Sequence, residues 1–378
     1  METEQPESRS LICWLFEDVY MRYALIGCGR IAVNHLHAAI NNNLEVTSVC
    51  DIVPENIETL LNKCQIQNAN NIKKYSDYKK MLTENKLDLA AIATDSGCHA
   101  EIALYCIDKG INIIIEKPIA MSIKDADEII KRSEQNGVIV SACHQNRYNI
   151  AVQKVKEALK KGRFGKISHG TAHVRWNRGV EYYKQAGWRG SWASDGGALM
   201  NQCLHAIDLI YWIMNDEIDE VYGVTRRQFH DYIEAEDLGV AIIKFKNGTI
   251  ATIEGTTNVY PQNLEETLYL FGEHGTVKLG GKSVNTIEIW DFADADEKDT
   301  TLRGYRESTV NVYGNGHTGL YTDMINAIKT NSKPMVDAYE GKAALELVLA
   351  IYKSQKEGKA IKFPLNNFAS IDMIGEFK

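Results

Sequence analysis

The sequence predicts a two-part α/β protein, with a doubly wound parallel Rossmann sheet in front and an open, mostly antiparallel sheet backed by helices behind. Strand and helix signals alternate from Arg22 to about Cys143, and a glycine turn joins the first strand to the first helix. After about Gly165 the pattern changes to strand hairpins. Alternation implies parallel strands with helical crossovers, whereas tight turns between strands imply antiparallel pairing.

In the first part, Tyr23–Ile26 is a short apolar strand that ends in glycines. A helical stretch from Ile31 to about Asn41 leads to a second strand, Glu45–Asp51. Leu87–Ala93 and Ile111–Ile115 are further strands of the buried type, each followed by a helical segment. Ser122–Asn136 is the clearest helix. Ser122 is placed to cap it, Ile123, Ala126, Ile129 and Ile130 share a face, and Gly137 stops it. In the second part, Asp237–Asn258 reads as a hairpin turning at Asn247-Gly248, and Thr267–Leu279 as another turning at Glu273-His274-Gly275. Ile287–Trp290 adds a strand, and helices are expected near 153–161, 198–214, 318–330 and 339–357. The division expected is 1–20 as an appendage, 21–143 as the dinucleotide-binding domain and 144–378 as the substrate-binding and oligomerisation domain. The appendage contains Leu11–Phe16, an apolar run too short for a membrane helix, which needs about 20 residues. It reads as an upstream extension or as a packing arm.

The bulk numbers exclude several classes. A net charge of −8 gives no electrostatic support for nucleic-acid binding. The 8 cysteines are scattered singly, without a C-x-x-C pair or a metal-ligand rhythm. Free thiols in a reducing cytoplasm are therefore expected, with no metal site and no membrane partner.

Gly27-Cys28-Gly29-Arg30-Ile31-Ala32 follows the first strand and opens the first helix. Gly27 permits the tight turn, Gly29 lets a pyrophosphate approach the backbone, and Ala32 allows helix and strand to pack closely. Asp51 ends the second strand, where a carboxylate accepts from both ribose hydroxyls and repels a 2′-phosphate, favouring NAD over NADP.

Glu116-Lys117-Pro118 closes the strand Ile111–Ile115, so Lys117 is expected at the cofactor cleft, where an ammonium can polarise a hydroxyl. A second cluster runs from Asp195 to Asp208. Glycines lead into a helix on which Asn201, His205 and Asp208 share a face, and His205 is suited to taking a hydroxyl proton near neutral pH. Taken singly, the lysine reads as a surface charge and the histidine as a bonded core residue.

Together with Ala93-Thr94-Asp95-Ser96-Gly97-Cys98-His99, these motifs resemble the Gfo/Idh/MocA oxidoreductases from Met21 onward. The resemblance implies catalysis by Lys117 and His205 with Asn201 beside them. It also implies a cofactor site that includes Arg30, Ile31, Thr94, Ser96, His99, Glu116 and Lys117. Several members carry an aspartate where this chain has Asn201, which sets it apart from inositol dehydrogenases. The family further implies a homodimer or homotetramer formed through the open sheet.

Residues 173–192 carry Arg175, Arg178, Lys184 and Arg189 against Glu181, together with Trp176, Trp188 and Trp192. A basic, aromatic segment suits an anionic sugar, with solvated charges over sheet packing as the alternative. His144–Asn149, Tyr182-Tyr183 and Trp188–Trp192 resemble the branch that oxidises UDP-N-acetylglucosamine derivatives at C3. That branch implies UDP-N-acetylglucosaminuronic acid as substrate, in the synthesis of surface polysaccharides. Arg147, Tyr148, Asn149, Arg175, Arg178, Trp188, Asn201 and His205 are the expected substrate-binding residues. The alternatives are an inositol or simple-hexose dehydrogenase of the same family and a non-catalytic NAD-binding regulator.

Overall fold

The computed structural model describes residues 20–66, 69–308 and 314–377, so of the expected appendage all but Tyr20 lies outside the described residues. The first part runs β1 (Arg22–Ile26), α1 (Ala32–Asn41), β2 (Glu45–Cys50), α2 (Pro54–Cys64), β3 (Lys73–Tyr75) and α3 (Tyr78–Glu84). It continues with β4 (Leu89–Ile92), α4 (His99–Asp108), β5 (Asn112–Ile115), α5 (Ile123–Asn136) and β6 (Val140–Ala142). Its strands pair in parallel in the order β3-β2-β1-β4-β5-β6. The order reverses between β1 and β4, which opens a ligand crevice at the carboxyl ends of these strands. Leu89, Ala90, Ala91 and Ile92 are wholly buried, as expected of a parallel strand covered on both faces. Ser122 caps α5 by accepting from the Asp125 N–H at 3.0 Å, and Gly137 stops it at φ +64°.

A 3₁₀ turn, Gln145–Tyr148, leads into α6 (Ile150–Lys160), β7 (Ile167–Arg175) and α7 (Val180–Tyr183). A π-helical turn at Ala198–Gln202 then precedes α8 (Leu204–Met214). The strands β8 (Ile218–Arg226), β9 (Leu238–Phe245), β10 (Ile250–Thr256), β11 (Glu265–Gly272), β12 (Gly275–Gly280) and β13 (Thr286–Phe292) follow. The chain closes with α9 (Glu297–Leu302), α10 (Gly316–Thr330), α11 (Ala338–Glu357) and β14 (Ile361–Lys362). The second sheet has the order β13-β12-β11-β7-β10-β9-β8-β14, antiparallel except where β7 meets β10. Both expected hairpins form, β9–β10 and β11–β12.

The uninterrupted helix expected near 198–214 is broken instead. Gly197 stands at φ +101°, and a Cβ there would lie 1.8 Å from Glu236 Oε2. The Glu236 side chain accepts from the Leu199 N–H at 2.7 Å, and its backbone carbonyl accepts from the Ala198 N–H at 3.0 Å. Glu236 thus takes up two N–H groups at the start of the turn, one on its carboxyl and one on its carbonyl, and holds the turn in its wider form.

The helices after residue 315 return to the first sheet. Tyr321 of α10 lies 2.8 Å through its hydroxyl from both the Tyr23 hydroxyl and His35 Nδ1. Before α11, the Val336 carbonyl accepts from the Ala142 N–H at 3.1 Å. The cleft at β1, β4 and β5 thus has α8 and the second sheet on its far side, tied in place by α10 and α11.

Candidate active site

The glycine turn is shaped to receive a dinucleotide. Gly27 has φ +93°, and a Cβ on it would lie 2.4 Å from the Ala93 carbonyl oxygen, so the turn presses directly on the end of β4. A Cβ on Gly29 would meet nothing within 4 Å, which leaves its backbone open to a ligand. No side chain caps the N-terminus of α1, which leaves the positive end of its dipole facing the glycine turn for an anion. Asp51 accepts from the Cys28 N–H at 2.8 Å, from the Val53 N–H at 2.8 Å and from the Asn56 amide at 3.1 Å. Its carboxylate is thereby fixed beside the turn, where ribose hydroxyls belong. These features fit a bound NAD.

Lys117 enters from the end of β5 and meets the second part of the molecule. Its Nζ donates to the Asn201 carbonyl at 2.7 Å and to Asn201 Oδ1 at 3.3 Å. Burial lowers its pKa below the usual lysine range, against the opposing charges of Glu116 and Asp195. His205, one turn beyond Asn201, accepts through Nε2 from the Gln145 carboxamide at 3.1 Å, and Nδ1 has no hydrogen-bond partner among the described residues. Burial, then the charge of Lys117, depresses the His205 pKa well below the ordinary value. The imidazole is therefore neutral at neutral pH, with its lone pair on Nε2. An open groove of about 560 Å³ runs from Arg30 past Tyr182 and Gln185 to Arg178 and Asn263. Arg178 donates to Gln202 at 2.9 Å and to Asn263 at 2.9 Å, and its guanidinium lies over Trp176 and Tyr182.

Residues 21–144 match the profile of an oxidoreductase family with an NAD-binding Rossmann fold, and residues 152–278 match the GFO/IDH/MocA C-terminal domain. The chain belongs to the GFO/IDH/MocA family. Its structure is similar to the WlbA dehydrogenase of Bordetella pertussis, solved with NADH and UDP-GlcNAcA. The two share 37% identity, with a TM-score of 0.85 over 92% of this chain and 99% of that one. The WlbA enzyme of Chromobacterium violaceum, solved with the same two ligands, gives 32% identity and a TM-score of 0.83 over 93% and 98%. A myo-inositol 2-dehydrogenase of Thermotoga maritima is 22% identical over 90% of this chain and 98% of its own length. The protein is thus an NAD-dependent dehydrogenase, related to enzymes of sugars and polyols.

Within this GFO/IDH/MocA site several expected contacts are not made. Arg147 is wholly buried, bound through two nitrogens to Asp208 at 2.8 and 2.6 Å and through a third to Glu340 at 2.7 Å. It locks the 3₁₀ turn to α8 and α11 and does not face the cleft. Asp208 is likewise spent on this pair, so only Asn201 and His205 of the expected helical face reach the site. The Tyr148 hydroxyl donates to Asp323 at 2.7 Å, and the Asn149 amide donates to the Ser283 carbonyl at 2.8 Å, both away from Lys117. Arg175 alternates with buried Val174 and pairs with Glu254 and Glu265 on the open face of the second sheet. Trp188 is half-buried beneath the Arg189 guanidinium.

Two residues expected at the cofactor also take other roles. His99 Nδ1 lies 2.8 Å from the Pro118 carbonyl, tying the loop after β4 to the loop after β5. Glu116 turns behind Lys117 and lies 2.9 Å from His35 Nε2, in a buried group with His317 and Cys143 whose donor atoms lie within 4.8 Å of one another. His35 uses both nitrogens there, on Tyr321 and Glu116, which makes the group a hydrogen-bonded support for the lysine. Thr94, Ser96 and Ile31 stand at the cleft rim formed by the loop after β4 and the start of α1. Arg30 reaches across the cleft to Gln185. Gln145, the partner of His205, belongs to the His144–Asn149 motif but was not expected as a site residue, because only the folded chain brings it to the imidazole.

Proposed function

We propose that the protein oxidises the C3 hydroxyl of a UDP-linked N-acetylamino sugar, with UDP-N-acetylglucosaminuronic acid as the preferred substrate. The observation that carries this is the meeting of Lys117 from the first part with Asn201 and His205 from the second, at the mouth of a dinucleotide site. The groove from Arg30 to Arg178 suits the diphosphate of the substrate, because guanidiniums bind phosphate in a forked geometry. The WlbA enzymes, at 37% and 32% identity, were crystallised with this nucleotide sugar and NADH.

NAD, when bound, supplies the hydride acceptor. Lys117 donates from its ammonium to the reacting oxygen and stabilises the negative charge that develops there. His205 removes the hydroxyl proton through Nε2, where the substrate hydroxyl takes the place of the Gln145 amide as donor, and its depressed pKa keeps it neutral beforehand. Asn201 holds the ammonium in line and offers its amide to the sugar. The product is a 3-keto sugar, a substrate for an aminotransferase in surface polysaccharide synthesis.

The enzyme works as a homo-oligomer. Tyr222, Val224, Val240 and Ile242 stand 37–47% exposed on the uncovered face of β8 and β9, an apolar patch suited to a second copy. Measuring NADH formation with UDP-N-acetylglucosaminuronate, UDP-N-acetylglucosamine, myo-inositol and free hexoses tests the substrate. Turnover of the first, well above the others, is expected. Turnover of inositol with no response to any UDP-sugar would overturn the proposal.

A further inference from the structure

Asn201 is held on two sides by opposite charges. Lys117 meets its oxygen, and its Nδ2 donates to Asp195 Oδ1. Asp195 is 2% exposed, and its second oxygen accepts from the Gly190 N–H at 2.6 Å. A carboxamide has one accepting edge and one donating edge, whereas a carboxylate only accepts. Asp195 therefore dictates that the nitrogen of Asn201 faces it and that the oxygen faces the ammonium. Gly190 is fixed in turn, since it has φ +75° and a Cβ on it would lie 2.5 Å from Ile233.

We propose that Asp195 is a positioning residue for the reaction: acting through Asn201, it aims the Lys117 ammonium at the reacting oxygen. This rests on the reading of Lys117 as the group that polarises the substrate hydroxyl. The charged and titratable groups facing Lys117 are Glu116, Cys143, His144, Arg189, Cys203, His205 and Asp195. Those facing Asp195 are Arg189, Lys117, Tyr182, Tyr183 and Glu236. Among these, Asp195 is joined to the lysine through a single shared residue, Asn201. Its loss removes negative charge near Lys117 and leaves Asn201 free to turn its NH₂ edge towards a cation.

Two readouts on Asp195→Asn test this. The alkaline limb of the pH–rate profile for NADH formation should move about one pH unit lower, as expected when a nearby opposite charge is lost. Turnover should fall about 10- to 100-fold, the effect of a slightly misplaced reacting group. NAD affinity should not change. The second readout, the ionisation of Lys117 followed by NMR of ¹³C-labelled lysine, needs no substrate and should shift in the same direction. Asn201→Ala cuts the chain from the other side and should move both readouts the same way, which keeps the test alive if Asp195→Asn does not fold. A lysine titration that moves, in an enzyme that turns over no UDP-sugar, would sustain the positioning role and sink the substrate reading. An unmoved titration and an unmoved limb in a folded variant would overturn the proposal.

Discussion

Gly27 and Gly29 look alike in the sequence and differ in the fold. A methyl group on Gly27 would be driven into the end of β4, whereas one on Gly29 has open space. Gly27→Ala should therefore destabilise the protein by about 1–3 kcal/mol, the usual cost of a strained backbone position. Gly29→Ala should keep the wild-type melting temperature and weaken NAD binding, as read by calorimetry. Lys117→Met and His205→Ala should each lower turnover about 10²- to 10⁴-fold, as loss of an acid–base group does. NAD affinity should be retained in both, and loss of NAD binding with intact turnover chemistry would reverse the roles. At this scale the sequence showed which residue types carry chemistry but not which way they point. Arg147 was expected at the substrate through the resemblance, and its pairing stayed hidden because its partners, Asp208 and Glu340, are far along the chain. Asp195 read as the head of a glycine run, and only the fold ties it to Asn201.

The strands most legible in the sequence are those made of consecutive apolar residues, β4 and β5, because both their faces are buried. β7 and β8 were not legible. Their buried positions include Gly170, Ala172, Gly223 and Thr225, small or polar residues that give no alternating apolar signal. The helix leading to His205 was legible in extent but not in form, since the π turn depends on Glu236 arriving from outside the segment. β11 carries a further group of this kind. Glu266 is 2% exposed, its nearest hydrogen-bond partner is the Asn146 amide at 3.5 Å, and burial pushes its pKa up to about 8. A carboxyl raised in the folded state contributes stability that is complete below its unfolded pKa and lost as pH rises through about 8. Glu266→Gln keeps the shape and removes the titration. Its melting temperature should gain on wild type between pH 6 and pH 9, and a constant difference across that range would contradict the argument.

At the scale of the whole molecule, the proposed catalytic groups come from the end of β5 and from α8 with the turn before it, in two parts that α10 and α11 hold together. Tyr321 and His35 join α10 to α1, and Glu116 continues the network to the residue before Lys117. The parallel build of the first sheet and the hairpins of the second were readable from pattern, but the strand order and the return of the C-terminal helices were not, because amphipathic helices do not name their partners. The apolar face of β8 and β9 is the other property of the whole molecule. Replacing Val240 and Ile242 by Glu should yield smaller species in light scattering with the fold intact, and an unchanged mass would place the contact elsewhere.

The claim that binds these scales together is that the hydride leaves C3 of the sugar. UDP-N-acetylglucosaminuronate deuterated at C3 should transfer its deuterium to the cofactor and yield a 3-keto sugar by mass spectrometry. Deuterium retained in the sugar product, or transferred only from substrate labelled at another carbon, would contradict the account.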